Sequence, residues 1–172
     1  MRLPIVLIAA AVLLGGCSKP LLVVDPAQRA ADVEFVNTSS GYLQQFYFDD
    51  PVTCKVPYLI AHSVQPYESK RHRLPGERLV TIWTSAWGLP AQPGEVAWCR
   101  PHAFSTRLAS GTNYRISFEV DPVNKRCGTR ITSTAGTPVK VVHRQVEGSE
   151  IGGGGPAGQF SCKPDAALAE LE

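Results

Sequence analysis

The segment NYRISFEV, from Asn113 to Val120, alternates strictly between polar and apolar side chains. Neighbouring side chains of a β-strand point to opposite faces, so this alternation predicts a strand with one buried face and one face in water. The turn-forming sequence ASGTN, residues 109–113, leads into the segment. The predicted buried face consists of four residues, namely Tyr114, Ile116, Phe118 and Val120.

Seven further segments are rich in aromatic and β-branched residues, and Gly, Pro, Asn or Asp separates most of them. They begin at Asp32, Tyr42, Val56, Arg78, Val96, Arg126 and Val139. A helix-forming run occurs only at the C-terminus, in DAALAELE. We therefore expect an all-β fold, an antiparallel β-sandwich of about seven to eight strands, immunoglobulin-like or transthyretin-like, with a disulfide-tied C-terminal tail.

The N-terminus carries one positive charge, Arg2, followed by an uncharged and mostly aliphatic run from Leu3 to Leu14. A membrane-spanning helix needs about 20 apolar residues, so a run of about a dozen is too short to be a permanent span. The order of charge, apolar run and small residues is typical of a secretory signal peptide. The sequence LLGGC, in which Gly15 and Gly16 precede Cys17, ends this region.

This stretch resembles the lipobox of bacterial lipoproteins, which has leucine, two small residues and then cysteine. The resemblance implies a signal-peptidase site formed by Leu14, Gly15 and Gly16, and a lipid on Cys17 that anchors the protein to a membrane. Several acyl chains on one residue form a lasting anchor, whereas one chain gives only marginal binding. The alternative is an ordinary secreted protein in which Cys17 is a disulfide partner. The residue after the cysteine, Ser18, is not the aspartate of inner-membrane retention in enteric lipoproteins, so we expect the outer membrane.

The segments WCRP and GTNYRISFEV, together with the cysteine placement, resemble the plan of small periplasmic lipoproteins of Gram-negative bacteria. That resemblance implies no particular activity. We expect a signal peptide over residues 1–16, a lipidated tether over 17–31, a β-sandwich domain over 32–147, and a Gly-rich linker with a C-terminal tail over 148–172. The sequence GGGGPAG within the last segment lacks the lysine and Ser/Thr of a phosphate-binding loop, so we interpret it as a flexible linker.

Four cysteines follow Cys17, namely Cys54, Cys99, Cys127 and Cys162. An even number in an exported protein predicts two disulfides, for which three connectivities are possible. We favour Cys54 with Cys99 and Cys127 with Cys162, because the second bond would tie the C-terminal tail to a strand. The cysteine spacings and the scattered histidines do not fit a zinc site, so we expect no metal and no cofactor.

The charge of the chain is nearly balanced, +2 overall and +1 once Arg2 is removed with the signal peptide, 16 basic against 15 acidic residues. This balance argues against a nucleic-acid partner. The one basic cluster, KRHR from Lys70 to Arg73, is interpreted as a solvated loop, with contact to anionic lipid or an acidic partner as the alternative. Trp87 follows a predicted strand and is a candidate interface residue. The possible interface thus comprises Trp87, Lys70, Arg71 and Arg73, whereas Trp83 is expected in the core.

The sequence contains no G-x-S-x-G, H-E-x-x-H or EF-hand string. Adjacent Asp49 and Asp50 could serve as a catalytic or calcium-binding pair, but at a strand end we interpret them as turn formers. We expect no enzymatic activity. The sequence favours an outer-membrane-anchored periplasmic lipoprotein that acts as a binding or envelope-assembly module, with a protein partner in the envelope. The alternative is a periplasmic immunity protein or inhibitor of a toxin or hydrolase, with Glu68–Arg78 as a projecting loop that enters an acidic cleft.

Overall fold

The protein is described by a computed structural model that covers residues 20–87, 102–121, 123–124, 126–135, 137, 139–147 and 160–171. These residues form eleven strands and one short 3₁₀ helix. The strands are β1 Ala30–Asn37, β2 Tyr42–Asp50, β3 Lys55–Val64, β4 Ser69–Pro75, β5 Arg78–Trp87, β6 His102–Leu108, β7 Asn113–Asp121, β8 Arg126–Ser133, β9 Val142–Arg144, β10 Val146–Glu147 and β11 Ser161–Cys162. The helix-forming run at the C-terminus is the 3₁₀ helix Ala166–Leu171.

The long strands form two sheets, and the predicted all-β sandwich is confirmed. The four-stranded sheet has the order β4-β1-β7-β8, and the five-stranded sheet has the order β3-β2-β5-β6-β9. Strands β1 and β7 pair in parallel, and the other neighbours pair antiparallel. An immunoglobulin sandwich keeps its first two strands in one sheet. Here β1 and β2 lie in different sheets, so the strand order differs from the immunoglobulin-like alternative.

The main core lies between the two sheets. The predicted alternation of β7 is confirmed, since Tyr114, Ile116 and Phe118 are buried in this core. The register of β1 beside β7 places Val33 next to Tyr114 and Phe35 next to Ile116. Burying each such side chain stabilises the fold by about 1.5–3 kcal/mol. The apolar residues of this alternation therefore form part of the core that holds the two sheets together.

A second apolar cluster covers the outer face of the five-stranded sheet. Phe160 packs on Phe46, Phe48 and Trp83, with ring centroids 6.0, 5.4 and 5.5 Å from its own. Trp83 is buried, as the sequence predicted. Because Phe160 comes from the C-terminal tail, the tail is part of the folded body. The predicted Gly-rich linker, residues 152–158, lies outside the described residues.

A disulfide bond between Cys54 and Cys162 holds this tail. The predicted pairing of Cys54 with Cys99 and of Cys127 with Cys162 is therefore wrong. The physical reason is the path of the tail, which runs past the turn after β2, where Cys162 N–H donates to Thr53 O at 2.9 Å. This backbone contact brings the two Cα atoms to 5.2 Å, within the range that a disulfide can bridge.

The buried side chain of Arg144, in β9, stabilises the same region through hydrogen bonds. Its guanidinium donates to Pro51 O at 3.2 Å, Val52 O at 2.8 Å and Lys163 O at 2.8 Å, and to Ser105 Oγ at 3.1 Å. The side chain is buried, and burial lowers the pKa of Arg144 from its ordinary value. The turn after β2, the strand β6 and the tail are thus joined by one cation.

Candidate functional site

The sandwich has two ends, and the distal end contains the β1–β2 turn, residues 38–41, and the β3–β4 turn, residues 65–68. Asn37 joins these turns, because its side-chain amide donates to Gly41 O at 2.6 Å, Val64 O at 3.2 Å and Gln65 O at 3.0 Å. Its Oδ1 accepts from the hydroxyl and the N–H of Ser39, at 2.7 and 2.9 Å. Since Asn37 is buried, this network holds both turns in fixed positions.

Tyr67 projects from the distal end, with 73% of its surface exposed. Its φ of 59° lies in the left-handed region, which non-glycine residues adopt rarely and which occurs more often at functional sites. Val123, in the β7–β8 turn, is 87% exposed at the same end. A rigid, exposed tyrosine is a typical anchor of a protein interface. Tyr67 was not predicted as a site residue, although its place between Pro66 and the basic cluster indicated a turn.

Trp87, the predicted interface residue, is the last residue of β5 and pairs with Tyr42 at the distal end of the sheet. Its position agrees with the prediction that it lies at the end of the sandwich, and nothing is described of its side chain. Its backbone therefore belongs to the same end as Tyr67.

The basic cluster is a strand, and its interpretation as a solvated loop is wrong. Residues Ser69–Pro75 pair with β1 over seven positions as the edge strand β4. The segment has strand alternation, with Lys70, His72 and Leu74 on the inner side of the sheet and Arg71 and Arg73 on the outer side. The charges of the segment obscured this alternation. Basic side chains on an edge strand oppose pairing with another sheet.

The three cations of the predicted interface have separate partners, and the side chain of Trp87 lies outside the described part of the structure. Lys70 donates to Ser63 O and bridges from the four-stranded sheet to β3. Arg71 lies 3.9 Å from a Glu34 oxygen on the outer face, and Arg73 donates to Gln28 O at 3.4 Å. Because Ser69–Pro75 is a strand, Glu68–Arg78 is not the projecting loop on which the inhibitor alternative depended.

The proximal end of the sandwich contains the turn Pro51–Cys54, between β2 and β3. Asp50 forms this turn, as predicted, by accepting from Val52 N at 3.1 Å and Thr53 N at 3.0 Å. A hydrogen bond from the Thr53 hydroxyl, the largest cause, lowers the pKa of Asp50. Asp49 instead lies 3.6 Å from Arg78, so the two carboxylates have separate structural partners.

The chain enters the fold along the edge strand β3. Leu59 N–H donates to Pro20 O at 2.9 Å, and Leu22 N–H donates to Leu59 O at 2.8 Å. The pinned segment, residues 20–24, runs parallel to β3 at this bridge. The tether predicted for residues 17–31 is therefore held to the body from Pro20 onward, and its last two residues belong to β1. Cys17 and the predicted peptidase site, Leu14, Gly15 and Gly16, lie outside the described residues.

His102 and Cys127 are neighbours across the two sheets, with 3.4 Å between Nε2 and Sγ. Burial, followed by the nearby His143, lowers the pKa of His102. A histidine beside a cysteine is typical of a nucleophilic pair, but this needs a thiolate. Cys127 is disulfide-bonded, so its sulfur is not a thiol. Cys127 is therefore in a disulfide, as predicted, but not with the predicted partner Cys162, and Cys99 lies outside the described residues.

A cavity of about 590 Å³ opens beside Cys127, between the ends of β7 and β8 and the segment 139–141. Its rim carries both signs of charge, from Glu119, Arg126 and Arg130. In the described part of the chain, no group of three or more His, Cys, Asp or Glu side chains is placed to hold a metal ion. In the same residues, no helix is long and apolar enough to cross a bilayer.

A comparison with models of known protein families finds no match, and a comparison with curated proteins also finds none.

Proposed function

We propose that this protein is an outer-membrane lipoprotein, anchored on the periplasmic side by lipid on Cys17, and that it is a non-enzymatic binding or envelope-assembly module. The lipobox-like sequence LLGGC supports the anchor. The buried Cys54–Cys162 disulfide supports an oxidising compartment such as the periplasm. Ser18 after the cysteine supports the outer membrane.

The observation that carries the binding role is the distal end of the sandwich. The buried Asn37 network fixes two turns there, and Tyr67 is presented on one of them. Loops held by a rigid scaffold are common sites of binding. Because both turns are held before binding, little conformational entropy is lost when a partner docks. We assign the partner contact to this distal surface, defined by Tyr67, Val123 and the backbone position of Trp87.

The partner is an envelope protein with an apolar pocket for the tyrosine ring. The lipid on Cys17 is the covalent membrane attachment in this proposal, and the distal surface is the part that contacts the partner. The alternative of an immunity protein or inhibitor depended on a projecting basic loop over Glu68–Arg78. That segment is an edge strand followed by a tight turn, so it does not supply the projecting loop that would favour inhibition.

Photocrosslinking in cells tests the binding role. A benzoylphenylalanine at position 67 should capture one defined envelope protein, and Tyr67→Ala should weaken binding of that protein about tenfold or more, as for an interface anchor. The matched control is the same probe at Arg130, which is on the outer face of the four-stranded sheet and pairs with Glu119 at 3.3 Å. Capture at position 130 but not at 67 would refute the distal surface. Absence of any specific product at both positions would refute the binding role.

A further inference from the structure

Large exposed apolar side chains are concentrated near the place where the chain enters the fold. Six such residues occur in the described part of the chain, and two of them, Tyr67 and Val123, lie at the distal end. Of the other four, Val52 and Val56 lie in or next to the turn after β2 and Leu21 lies beside Leu59, and we call these three the proximal patch. Val23 comes two residues after Leu21 in the parallel segment, so it lies beyond Leu59 toward the distal end.

The exposure of this patch is substantial for apolar residues. Val56 is 54% exposed, Leu21 47% and Val52 42%. Val56 also has a φ of 54°, which is rare for a β-branched residue. Beside it, Lys55 is exposed and begins β3. An apolar surface bordered by a cation matches the chemistry of a membrane interface, where apolar groups enter the headgroup region and cations meet anionic lipids.

The covalent length of the chain limits how far this patch can be from the lipid. Three peptide units separate Cys17 from Pro20, and an extended chain spans at most about 3.6 Å per residue, so the two Cα atoms are at most about 11 Å apart. Pro20 is itself hydrogen-bonded to Leu59. The lipid-bearing residue therefore cannot be separated from the body by a long flexible tether.

The direction of the pinned segment indicates that the lipid on Cys17 lies nearer to the proximal patch than to the distal surface. Because the segment runs parallel to β3, its N-terminal end points back toward the start of that strand, where Lys55 and Val56 lie. From Leu59 to Val56 is three residues, or about 10 Å along the strand. This distance is comparable to the reach from Pro20 to Cys17, so an anchor on Cys17 brings the bilayer to the patch.

We propose that the proximal patch rests on the phospholipid surface that carries the anchor, so that the body is held in one orientation. This inference rests on the proposed acylation of Cys17. Strand β3 has ten residues, about 33 Å at 3.3 Å each, and Tyr67 follows its far end. The patch and the distal surface are thus at opposite ends of one strand, and docking of the patch leaves the distal surface accessible to a partner.

Quenching of tryptophan fluorescence by brominated phospholipids tests this orientation. The full-length lipidated protein is placed in vesicles of phosphatidylethanolamine and phosphatidylglycerol, with Val56→Trp as the probe and Val123→Trp as the matched control at the distal end. The unsubstituted protein gives the signal of the native tryptophans, which is subtracted.

We expect brominated lipid to quench the added signal of Val56→Trp at least twofold more than that of Val123→Trp. A second probe, Val52→Trp, gives the same readout if thermal melting shows that Val56→Trp is misfolded. Equal quenching of the proximal and distal probes in acylated, vesicle-bound protein would overturn the orientation and leave the anchor intact. A protein without acylation, shown by mass spectrometry, that fails to float with vesicles would instead overturn the proposed anchor on which the orientation depends.

Discussion

Arg144 is a buried cation whose four hydrogen bonds go to neutral oxygens, three of them backbone carbonyls. Breaking such a network leaves buried polar groups unsatisfied, and each one costs about 1–3 kcal/mol. We therefore expect Arg144→Met to lower the free energy of unfolding by about 2–4 kcal/mol, measured by urea denaturation. Arg144→Lys should recover little, because an ammonium lacks the planar fork of donors.

Arg71→Met is the control for this prediction. Arg71 is an exposed partner of Glu34, and exposed ion pairs contribute about 0–1 kcal/mol. Equal effects of the two methionine variants would show that Arg144 does not hold the tail and the turn together.

Two half-buried histidines make stability depend on pH. Burial, and to a smaller extent a nearby charge, lowers the pKa of His72 beside Lys70 and of His102 beside His143. Below the ordinary value of 6.5 the unfolded chain binds protons that the folded chain does not yet bind, so stability falls as the pH decreases. This loss continues until the lowered folded pKa values are reached. We expect the melting temperature to fall between pH 7.5 and pH 5.5.

Scanning calorimetry of the protein with both His72→Gln and His102→Gln checks this origin. The double variant should lose most of the pH dependence in that window, because its glutamines do not titrate. An unchanged pH profile would assign the dependence to other groups. Asp50 and Asp121, whose pKa values are lowered by hydrogen bonds in their turns, act in the more acidic range below 3.8.

At the scale of elements, the attachment of the C-terminal tail to the sandwich can be tested by substitution. Its disulfide closes a loop with a sequence separation of 108 residues, for which the chain-entropy relation gives about 4–5 kcal/mol. Measured values are often smaller, so we expect the double variant Cys54→Ser, Cys162→Ser to lose about 2–4 kcal/mol in urea denaturation. Replacing both cysteines avoids a free thiol.

Phe160→Ala, with the disulfide intact, separates packing from cross-linking. Removing a buried phenylalanine costs about 3–5 kcal/mol. If the tail is fastened as described, both variants should increase protease cleavage after residue 160, whereas Val123→Ala should not. A tail that stays protected in both variants would contradict its role as a cover of the second cluster.

The strands that alternate cleanly could be predicted from the sequence, and those that carry charge could not. Tyr114 to Val120 shows the period of two without interruption, so β7 was predicted. In β4 the same period is present, but its inner side carries Lys70 and His72, which lie at the open edge of the sandwich where long polar side chains can reach out. The charges therefore indicated a loop.

The contacts of the tail depend on distant parts of the chain. No local pattern connects Phe160 with Trp83 or Cys162 with Cys54, because both contacts require the whole five-stranded sheet to form first. For the candidate site, Trp87 was predicted just past a strand, and the structure makes it the last residue of β5. Tyr67 was missed because one exposed tyrosine in a turn has no sequence signature.

At the scale of the whole molecule, we propose that lipid on Cys17 anchors the body through a short N-terminal segment, which is hydrogen-bonded to the body at Pro20. The chain has five cysteines; Cys54 and Cys162 are bonded to each other, and Cys127 is also disulfide-bonded. A lipidated Cys17 cannot form a disulfide. If Cys17 carries lipid, Cys99 is the cysteine of this chain that is left to pair with Cys127.

Peptide mapping of protein purified from membranes, without reduction, measures both features together. We expect a mature N-terminus at Cys17 that carries acyl chains, and a pair of disulfide-linked peptides that contain Cys99 and Cys127. A peptide in which Cys17 is linked to Cys127, or an unmodified Cys17 within an uncut N-terminus, would contradict this proposal.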